Sequence, residues 1–241
     1  MTGEYNIEDR TVHLWRAFIP KLVTEENALK TVLNEEELQR ANRLRFLEHR
    51  SRFIIAHGIL RKILSFYLNR PPQDIHFIQG ERGKPFIQDN PLNLQFNLSH
   101  SEDAILIGLT IAHPIGVDIQ KMDDKYHEAL VKRFFNHEEF LQLHQAPLHE
   151  RPLIFYRLWV AKEALIKAMG EGLYVSLGDF FVDFQQDEQW VTIEHENKPS
   201  RFYLKNFITY AAYQSAFAVK QEKSVKKIVY WEWGADLQHR L

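Results

Sequence analysis

The sequence of 241 residues contains no cysteine, which excludes disulfides, thiolate nucleophiles and cysteine-ligated zinc or iron–sulfur sites. It also lacks any apolar run near the length of about 18 residues that a membrane span needs, and its first residues are polar, unlike a signal peptide. The formal net charge of −2 favours neither nucleic acid nor a membrane surface as a partner. These absences lead us to expect a cytoplasmic protein.

The remaining composition, 45% hydrophobic and 26% charged, is that of an ordinary globular protein with room for a substantial core. A strand, a long helix and several strands before Ala112 are echoed by a helix and several strands after Gly116. We therefore expect two α/β lobes, residues 1–112 and 113–241, joined near His113. Clefts usually form between lobes, so we expect the functional site there.

Hydrophobic periodicity predicts the main elements. A strand is expected from Thr11 to Ile19, one long helix from about Glu35 to Asn69, and a second strong helix from about Leu153 to Met169. The C-terminal part contains short β-branched and aromatic runs, from DFFVDF at residues 179–184 to KKIVYWEW at 226–233, which are typical of antiparallel strands.

The apolar run AILIGLTIA predicts a buried strand. Hydrogen-bonding and titratable side chains flank it at both ends. Ser99 and His100 precede this run, and Asp118 follows it in the sequence IGVDIQK. An ionised aspartate in such an apolar context needs a positive partner, either a metal ion or a salt bridge. Gln120 lies two residues further on, so it shares a strand face with Asp118.

A helical face in RLWVAKEALIKAMG carries a second set of candidates, because Trp159, Glu163 and Lys167 are spaced by four residues. Glu163 and Lys167 alone would be an ordinary surface pair. Together with Asp118, however, Glu163 supplies a second hard oxygen ligand, and the amide of Gln120 is either a third ligand or holds a bound water. Mg²⁺ is typically held by one or two carboxylates and substrate phosphates, so the set predicts Mg²⁺-assisted chemistry on a polyphosphate.

Positive groups that could meet phosphates occur upstream. Lys84 stands before Pro85 in a Gly-Lys-Pro turn, where it is either an exposed turn lysine or an anion-binding group. The long predicted helix is rich in arginine, which fits a solvated face or a phosphate site. Its arginines are Arg40, Arg43, Arg45, Arg50, Arg52 and Arg61.

Five motifs occur in a fixed order: GKPFI, FNLSHS, IGVDIQK, RFFNHEEF and LWVAKEALIKAMGEGL. Together they resemble the 4′-phosphopantetheinyl transferases of the long, surfactin-type branch, over most of the chain from about Arg40 to Asp183. Trp159 to Ala164 match the WxxKEA form of the helix motif. The resemblance implies a pseudo-twofold α/β monomer, in which each lobe is a mainly antiparallel sheet packed on a long helix and coenzyme A binds between the lobes.

The resemblance also implies an activity. Such enzymes move the 4′-phosphopantetheine of coenzyme A onto a serine of an acyl, peptidyl or aryl carrier protein and release adenosine 3′,5′-bisphosphate. The carriers serve fatty-acid, polyketide or nonribosomal-peptide synthesis. Asp118 and Glu163 would hold Mg²⁺, or Mn²⁺ in its place, with Gln120 where many relatives have an acid. Glu163 is the candidate base, and Lys167 would stabilise or protonate the departing phosphate.

Further positions match coenzyme-binding residues of that family. The implied set is Arg45, Arg52, Lys84, Pro85, Ser99, His100, Asp118 and Lys167. His100 and Arg52 would meet the nucleotide 3′-phosphate, and His100 joins Glu163 and Lys167 in the catalytic group. Because a neutral amide is a poorer Mg²⁺ ligand than a carboxylate, Gln120 predicts weaker metal affinity without loss of activity.

The segment Lys121–Gln145 is the expected carrier dock. Lys132 and Arg133 would face acidic residues there, and Phe134 or Phe135 would give apolar contact, unless both phenylalanines fill the core beneath. Two other functional classes stay open from the sequence. One is a non-catalytic coenzyme A or carrier-binding protein on the same fold, and the other is a different Mg²⁺-dependent phosphoanhydride enzyme.

Overall fold

The structure is a computed structural model that describes residues 5–124, 127–170 and 175–234. The helices in these ranges are α1 (Glu26–Lys30), α2 (Glu35–Arg43), α3 (Leu47–Leu68), α4 (Glu128–Phe134), α5 (His137–Gln145) and α6 (Arg151–Met169). The strands are β1 (Thr11–Phe18), β2 (Phe77–Gln79), β3 (Pro85–Ile87), β4 (Leu94–Ser101), β5 (Ala104–Ile111), β6 (Ile115–Lys121), β7 (Glu188–His195), β8 (Lys198–Ile208), β9 (Tyr213–Lys220) and β10 (Lys227–Glu232). Among these helices, none is both long and apolar enough to cross a membrane.

The strands form two four-stranded sheets and a small hairpin. The first sheet has the order β10-β1-β5-β4, and the second has the order β6-β9-β8-β7. Pairing is antiparallel throughout, except between β1 and β10. Strands β2 and β3 pair separately as an antiparallel hairpin. The predicted fold class, two mainly antiparallel sheets each with a long helix, is confirmed.

Side-chain alternation along the strands explains the layering, because successive residues of a strand face opposite sides. In β5, Ile105 and Ile107 pack with Ile55 of α3, whereas Leu106 points the other way and packs in a cluster with Val117 of β6. The opposite face of the second sheet packs on α6. The layers are therefore α3, first sheet, second sheet and α6, and the seam between the sheets lies at the middle of the molecule.

The single long helix expected from Glu35 to Asn69 is wrong, because the chain breaks between α2 and α3. Leu44 and Phe46 have extended backbones, with ψ of 122° and 133°. The break folds α2 back onto α3, so that Ala41 packs in a cluster with Phe53. A continuous helix could not bring these two side chains together, since they are twelve positions apart and would be separated by about 18 Å along the axis.

The strand expected at residues 179–184 is also wrong. Its backbone groups are satisfied by buried side chains instead of a sheet neighbour. The carbonyl of Phe180 accepts a hydrogen bond from Lys162 Nζ at 2.8 Å, and the amide of Val182 donates to Glu139 Oε1 at 2.7 Å. Two side chains thus replace the ladder that a strand would need.

The last strand forms as expected but pairs differently. Strand β10 lies parallel to β1, with Thr11 opposite Lys227, and so belongs to the first sheet. Strands β1, β4 and β5 share that sheet, whereas β6 to β9 form the second. The division of the chain into residues 1–112 and 113–241 stays a proposal.

Candidate active site

Polar side chains of β4 join the first sheet to β6 of the second across the seam. Asn97 Oδ1 accepts a hydrogen bond from the amide of Val117 at 2.8 Å, and Ser99 Oγ donates to Asp118 Oδ1 at 2.8 Å. Since residues two apart share a strand face, Asn97 and Ser99 both reach across the same gap. The two polar ends of the central stretch, which the sequence singled out, therefore meet at the seam.

Asp118 is buried, with 2% of its surface exposed. Its Oδ1 accepts hydrogen bonds from Ser99 and from Lys167 Nζ, the latter at 2.5 Å. Its Oδ2 is buried and makes no hydrogen bond to any residue that the structure describes. The salt bridge that the sequence left open is therefore formed, and it uses only one of the two carboxylate oxygens.

Glycine at position 116 lets helix α6 approach β6 closely. A Cβ atom on Gly116 would lie 2.0 Å from the carbonyl oxygen of Ala164 and 2.4 Å from the amide nitrogen of Ala168. Both are backbone atoms of α6, so no side-chain rotation could make room. This close approach brings Lys167 within reach of Asp118, and Glu163 lies one turn earlier on the same half-buried face.

Glu163 and Asp118 place two carboxylates close together. Burial, followed by the negative charge of Asp118, raises the pKa of Glu163, whereas the positive charge of Lys167 lowers it. Two acids in one partly dry site repel each other when both are ionised. The local field therefore favours an additional positive charge.

The two carboxylates fit a divalent cation on the chemistry of the donors. The buried Oδ2 of Asp118 without a hydrogen bond and the raised pKa of Glu163 would both be relieved by a cation, and Mg²⁺ prefers oxygen ligands. Residues 5–124, 127–170 and 175–234 contain no cluster of three or more His, Cys, Asp or Glu side chains able to hold a metal ion. Such a cation would thus depend on substrate oxygens to complete its coordination.

Gln120, the third predicted metal ligand, is engaged with β4. Its Oε1 accepts a hydrogen bond from Ser101 Oγ at 3.2 Å, and that hydroxyl also accepts from the amide of Lys121 at 3.1 Å. The side chain lies on the same strand face as Asp118, as the spacing predicted, but its oxygen points at Ser101. A metal-binding role for Gln120 stays a prediction.

A cavity of about 320 Å³ adjoins the seam on the α3 side. Its walls combine aromatic rings with imidazole, amide and charged groups from Asn34, Glu36, Glu37, Arg40, Phe53, His57, Leu60, Phe77, Gln79, Pro85, Phe96, Asn97, Leu98 and His100. Desolvation at the cavity wall, followed by the positive charges of Lys167 and Arg52, lowers the pKa of His100. His100 therefore stands where the cavity meets the cationic side chains of the seam.

A second cavity, of about 270 Å³, lies on the α6 side. Glu163, Lys167 and Lys84 are among its lining residues. Pro85 and Asn97 line both cavities, so the two spaces adjoin at these residues. A long ligand could therefore extend from one lobe to the other past the carboxylates.

Lys84 is not the exposed turn lysine that was one interpretation of its sequence. Its Nζ donates to the carbonyl oxygens of Ile115 at 3.0 Å and Lys167 at 2.7 Å. Burial lowers the pKa of Lys84 to about 8. The structure brings Lys84 to the cleft, whereas its role in binding a coenzyme stays a prediction.

The two arginines predicted to bind coenzyme differ in their surroundings. Arg52 Nη2 lies 2.8 Å from Glu48, 3.0 Å from Glu102 and 3.2 Å from Asp103. Arg45 is exposed, and its guanidinium carbon lies 5.5 Å from the ring centre of Phe46. Neither Arg45 nor Arg52 lines either of the two cavities, so a role for each in binding the coenzyme stays a prediction.

Sequence reasoning missed residues that build the site without being reactive. Asn97 and Ser101 hold β4 against β6, and their spacing of two around Ser99 was the available signal. Lys162, next to Glu163 in the helix motif, is fully buried and holds the segment beyond α6. A lysine inside an otherwise apolar helical face was the signal for its role.

The expected carrier dock, Lys121–Gln145, is partly core. Phe135 is buried and stacks with Phe155 at 5.7 Å between ring centres, so the core interpretation is confirmed for this residue. Phe134 is half-buried, and Lys132 pairs with Glu128 at 2.5 Å on the exposed side of α4. Residues 125 and 126 of this segment lie outside the described residues, as do residues 171–173 at the end of the helix motif.

Two family models match consecutive parts of the chain. The model described as the 4′-phosphopantetheinyl transferase superfamily matches residues 114–218. The model described as 4′-phosphopantetheinyl transferase, N-terminal, matches residues 19–110. Together they cover the strands and helices that carry the candidate site.

Curated relatives point the same way. The chain is 33% identical to the 4′-phosphopantetheinyl transferase Sfp of Bacillus subtilis over 196 residues, which cover 81% of this chain and 86% of the relative. It is 39% identical to the 4′-phosphopantetheinyl transferase HetI of Nostoc sp. over 165 residues, covering 67% and 70%. It is 28% identical to the 4′-phosphopantetheinyl transferase gsp of Aneurinibacillus migulanus over 177 residues, covering 73% of each chain.

Proposed function

The chain belongs to the 4′-phosphopantetheinyl transferase superfamily, in its surfactin-type branch, and on this premise we propose that it transfers phosphopantetheine from coenzyme A to a carrier-protein serine. The proposed reaction needs Mg²⁺ and releases adenosine 3′,5′-bisphosphate. The observation that carries the proposal is the cluster of Asp118, Glu163 and Lys167 at the seam between the sheets. Asp118 and Glu163 would hold Mg²⁺, which when bound supplies positive charge against the pyrophosphate oxygens.

The proposed chemistry exchanges one phosphorus–oxygen bond for another. The serine oxygen attacks the phosphorus that bears the pantetheine arm, and the bond from that phosphorus to the bridging oxygen breaks. Glu163 accepts the serine proton, directly or through water, because its carboxylate lies at the wall of the cleft. The bridging oxygen and its electron pair leave with the nucleotide.

Lys167 is proposed to meet the charge that develops on the leaving phosphate. Its side chain is 28% exposed and lines the cavity that Glu163 also lines. An ammonium held by Asp118 and Ser99 is positioned before the substrate arrives, so little reorganisation is needed when charge develops. Lys167 therefore stabilises or protonates the leaving group.

Coenzyme A is proposed to lie along the two adjoining cavities. His100 and Pro85 line the cavity on the α3 side and fit the nucleotide part. His100 and Arg52 are proposed to meet the 3′-phosphate, because the positive charge of Arg52 acts on His100. Ser99 lies beside Asp118 and Lys167, where it fits the diphosphate. In this placement, the two ends of coenzyme A lie in different lobes.

The carrier partner is proposed to be an apo acyl, peptidyl or aryl carrier protein that docks on the exposed side of residues 121–145. Lys132 and Arg133 are exposed there and fit an acidic surface. The half-buried Phe134 offers apolar area beside them. A monomeric state and a cytoplasmic location complete the proposal.

Intact-mass measurement tests the proposed function. Apo acyl, peptidyl and aryl carrier proteins are each incubated with the protein, coenzyme A and Mg²⁺, and a carrier whose acceptor serine is replaced by alanine serves as control. We expect at least one carrier to gain one phosphopantetheinyl group, with an equal amount of adenosine 3′,5′-bisphosphate and no gain in the control or without divalent cations. If coenzyme A binds but no carrier gains mass, the proposed function is wrong.

A further inference from the structure

Lys84 reaches from the β2–β3 hairpin to two elements on the far side of the seam. Gly83, with φ of 82°, turns the chain, and Pro85 begins β3, so the lysine projects from a tight and stiff turn. Its Nζ donates to Ile115 O at 3.0 Å, where β6 begins, and to Lys167 O at 2.7 Å, near the end of α6. One ammonium thus joins the hairpin to the two elements that carry Asp118 and Glu163.

The contact on α6 is a helix cap made by a side chain from a distant part of the chain. The last four carbonyls of a helix lack partners within the helix, and Lys167 is the third residue from the end of α6. A positive group there also interacts favourably with the negative end of the helix dipole. Gly170 leaves room for this approach, because a Cβ atom there would lie 3.3 Å from Lys84 Cδ.

The two hydrogen bonds of the Lys84 ammonium go to uncharged carbonyl oxygens. Among the residues that the structure describes, no carboxylate lies within ion-pair distance of its ammonium. Burial lowers its pKa to about 8, because removal of solvent disfavours the charged form. The ammonium of Lys84 thus links the start of β6 to the last turn of α6 through two carbonyl oxygens.

We propose that Lys84 is a positioning residue that fixes the last turn of α6 against β6 and thereby holds the ammonium of Lys167 against Asp118 and Ser99. The backbone of Lys167 is held by Lys84, and its side chain is held by the two residues at the seam. The inference rests on the proposed function for its catalytic consequence. A direct ligand of coenzyme A would mainly affect the Kd for coenzyme A, whereas a positioning residue mainly affects kcat.

The test compares Lys84→Met and Lys84→Arg with Lys198→Met, which removes an exposed lysine at the start of β8. Methionine keeps the aliphatic stem and removes the donor, whereas arginine can still donate to two carbonyls. For Lys84→Met we expect kcat for carrier modification to fall about tenfold, since small displacements of reacting groups are costly. We expect the Kd for coenzyme A to change less than about twofold, and Lys84→Arg to recover part of kcat.

A second measurement does not depend on activity. Hydrogen–deuterium exchange of the peptide that covers residues 166–170 should become several-fold faster in Lys84→Met and stay unchanged in Lys198→Met, because the cap on α6 is lost. A weaker Kd for coenzyme A with unchanged kcat, or unchanged exchange in a folded Lys84→Met, would overturn the inference. If the unaltered protein fails to modify any carrier, the proposed function fails, and the exchange measurement alone still decides whether Lys84 holds the last turn of α6.

Discussion

The ammonium of Lys162 lies 2.8 Å from Glu139 Oε1, and neither side chain has any exposed surface. The same Nζ donates to the carbonyls of Leu177 and Phe180, at 2.6 Å and 2.8 Å. Glu139 in turn accepts from the amide of Val182. This buried pair ties α5 and α6 to the segment that carries Leu177, a lining residue of the cleft cavity.

Replacing Lys162 by methionine should be strongly destabilising. The variant leaves the carboxylate of Glu139 buried without its partner and leaves two carbonyls without a donor. We expect the free energy of unfolding to fall by about 4 kcal/mol, as measured by urea unfolding. The double variant Lys162→Met, Glu139→Gln should be less destabilised than the single one, because no charge remains buried. A loss below about 1 kcal/mol in the single variant would show that the pair is not essential to the fold.

Gly116→Ala should disturb the site through the backbone. The added Cβ would meet Ala164 O at 2.0 Å, so α6 must move away from β6. We expect a loss of about 3 kcal/mol in the free energy of unfolding and a fall in transfer activity, because Glu163 and Lys167 move with α6. The control is Gly178→Ala, where the nearest atom would lie 3.6 Å away. Equal melting temperatures for the two variants would contradict the close approach of α6.

Acid should weaken the fold through His13. This side chain is 3% exposed, its Nδ1 lies in a hydrogen bond with Tyr67 OH at 2.7 Å, and burial lowers its pKa from 6.5 to about 4. Between these values the unfolded chain binds a proton that the folded chain does not. The contribution of neutral His13 is therefore fully present above pH 6.5 and lost as pH falls toward 4, by about 1.4 kcal/mol for each pH unit.

His13→Gln checks this dependence, because the glutamine amide can donate to or accept from Tyr67 OH and does not titrate. The free energy of unfolding, measured by urea between pH 4 and 7, should depend less on pH in this variant than in the unaltered protein. His57, whose pKa is also lowered to about 4, leaves part of the dependence in place. The exposed His49→Gln serves as control. An unchanged slope in His13→Gln would show that His13 is not the titrating group.

The acidic turn between β4 and β5 should compete with phosphate for Arg52. Glu102 and Asp103 both lie within 3.2 Å of Arg52 Nη2, and Glu102 has φ of 47°, an unfavourable conformation for this residue. Glu102→Gln should tighten coenzyme A by about two- to fivefold, as expected for one partly exposed ion pair. Calorimetry with coenzyme A and with its 3′-dephospho form tests this, since only the former offers a 3′-phosphate. Equal changes for both ligands would exclude the 3′-phosphate as the partner of Arg52.

Much of the fold could be predicted because its signals are local. The apolar run of β5 and the periodicity of α6 predict their elements almost to the residue. The break at residues 44–46 has no proline or glycine to mark it and depends on packing between α2 and α3. The missing strand at 179–184 depends on Lys162 and Glu139, which lie far away in sequence. Local sequence patterns cannot predict either the packing of α2 on α3 or the contacts of Lys162 and Glu139.

Part of the candidate site could be predicted from the sequence, and part of it could not. Asp118, at the end of one motif, and Glu163 and Lys167, one turn apart on a helix, could be brought together from their spacing and context. The hydrogen bonds of Lys84 to the carbonyls of Ile115 and Lys167 could not, because backbone carbonyls have no signature in the sequence. Likewise, the sequence contains the acidic residues Glu102 and Asp103 but does not indicate that they pair with Arg52.

The measurement that tests the central claim most directly is single-turnover transfer to an apo carrier by Glu163→Gln across a range of Mg²⁺ concentrations, with coenzyme A binding measured in parallel. The account predicts that transfer slows by at least about a hundredfold, as for loss of a catalytic base, while coenzyme A still binds. Since glutamine has nearly the same shape, the fold should persist. Transfer by Glu163→Gln at the rate and Mg²⁺ dependence of the unaltered protein would contradict the account.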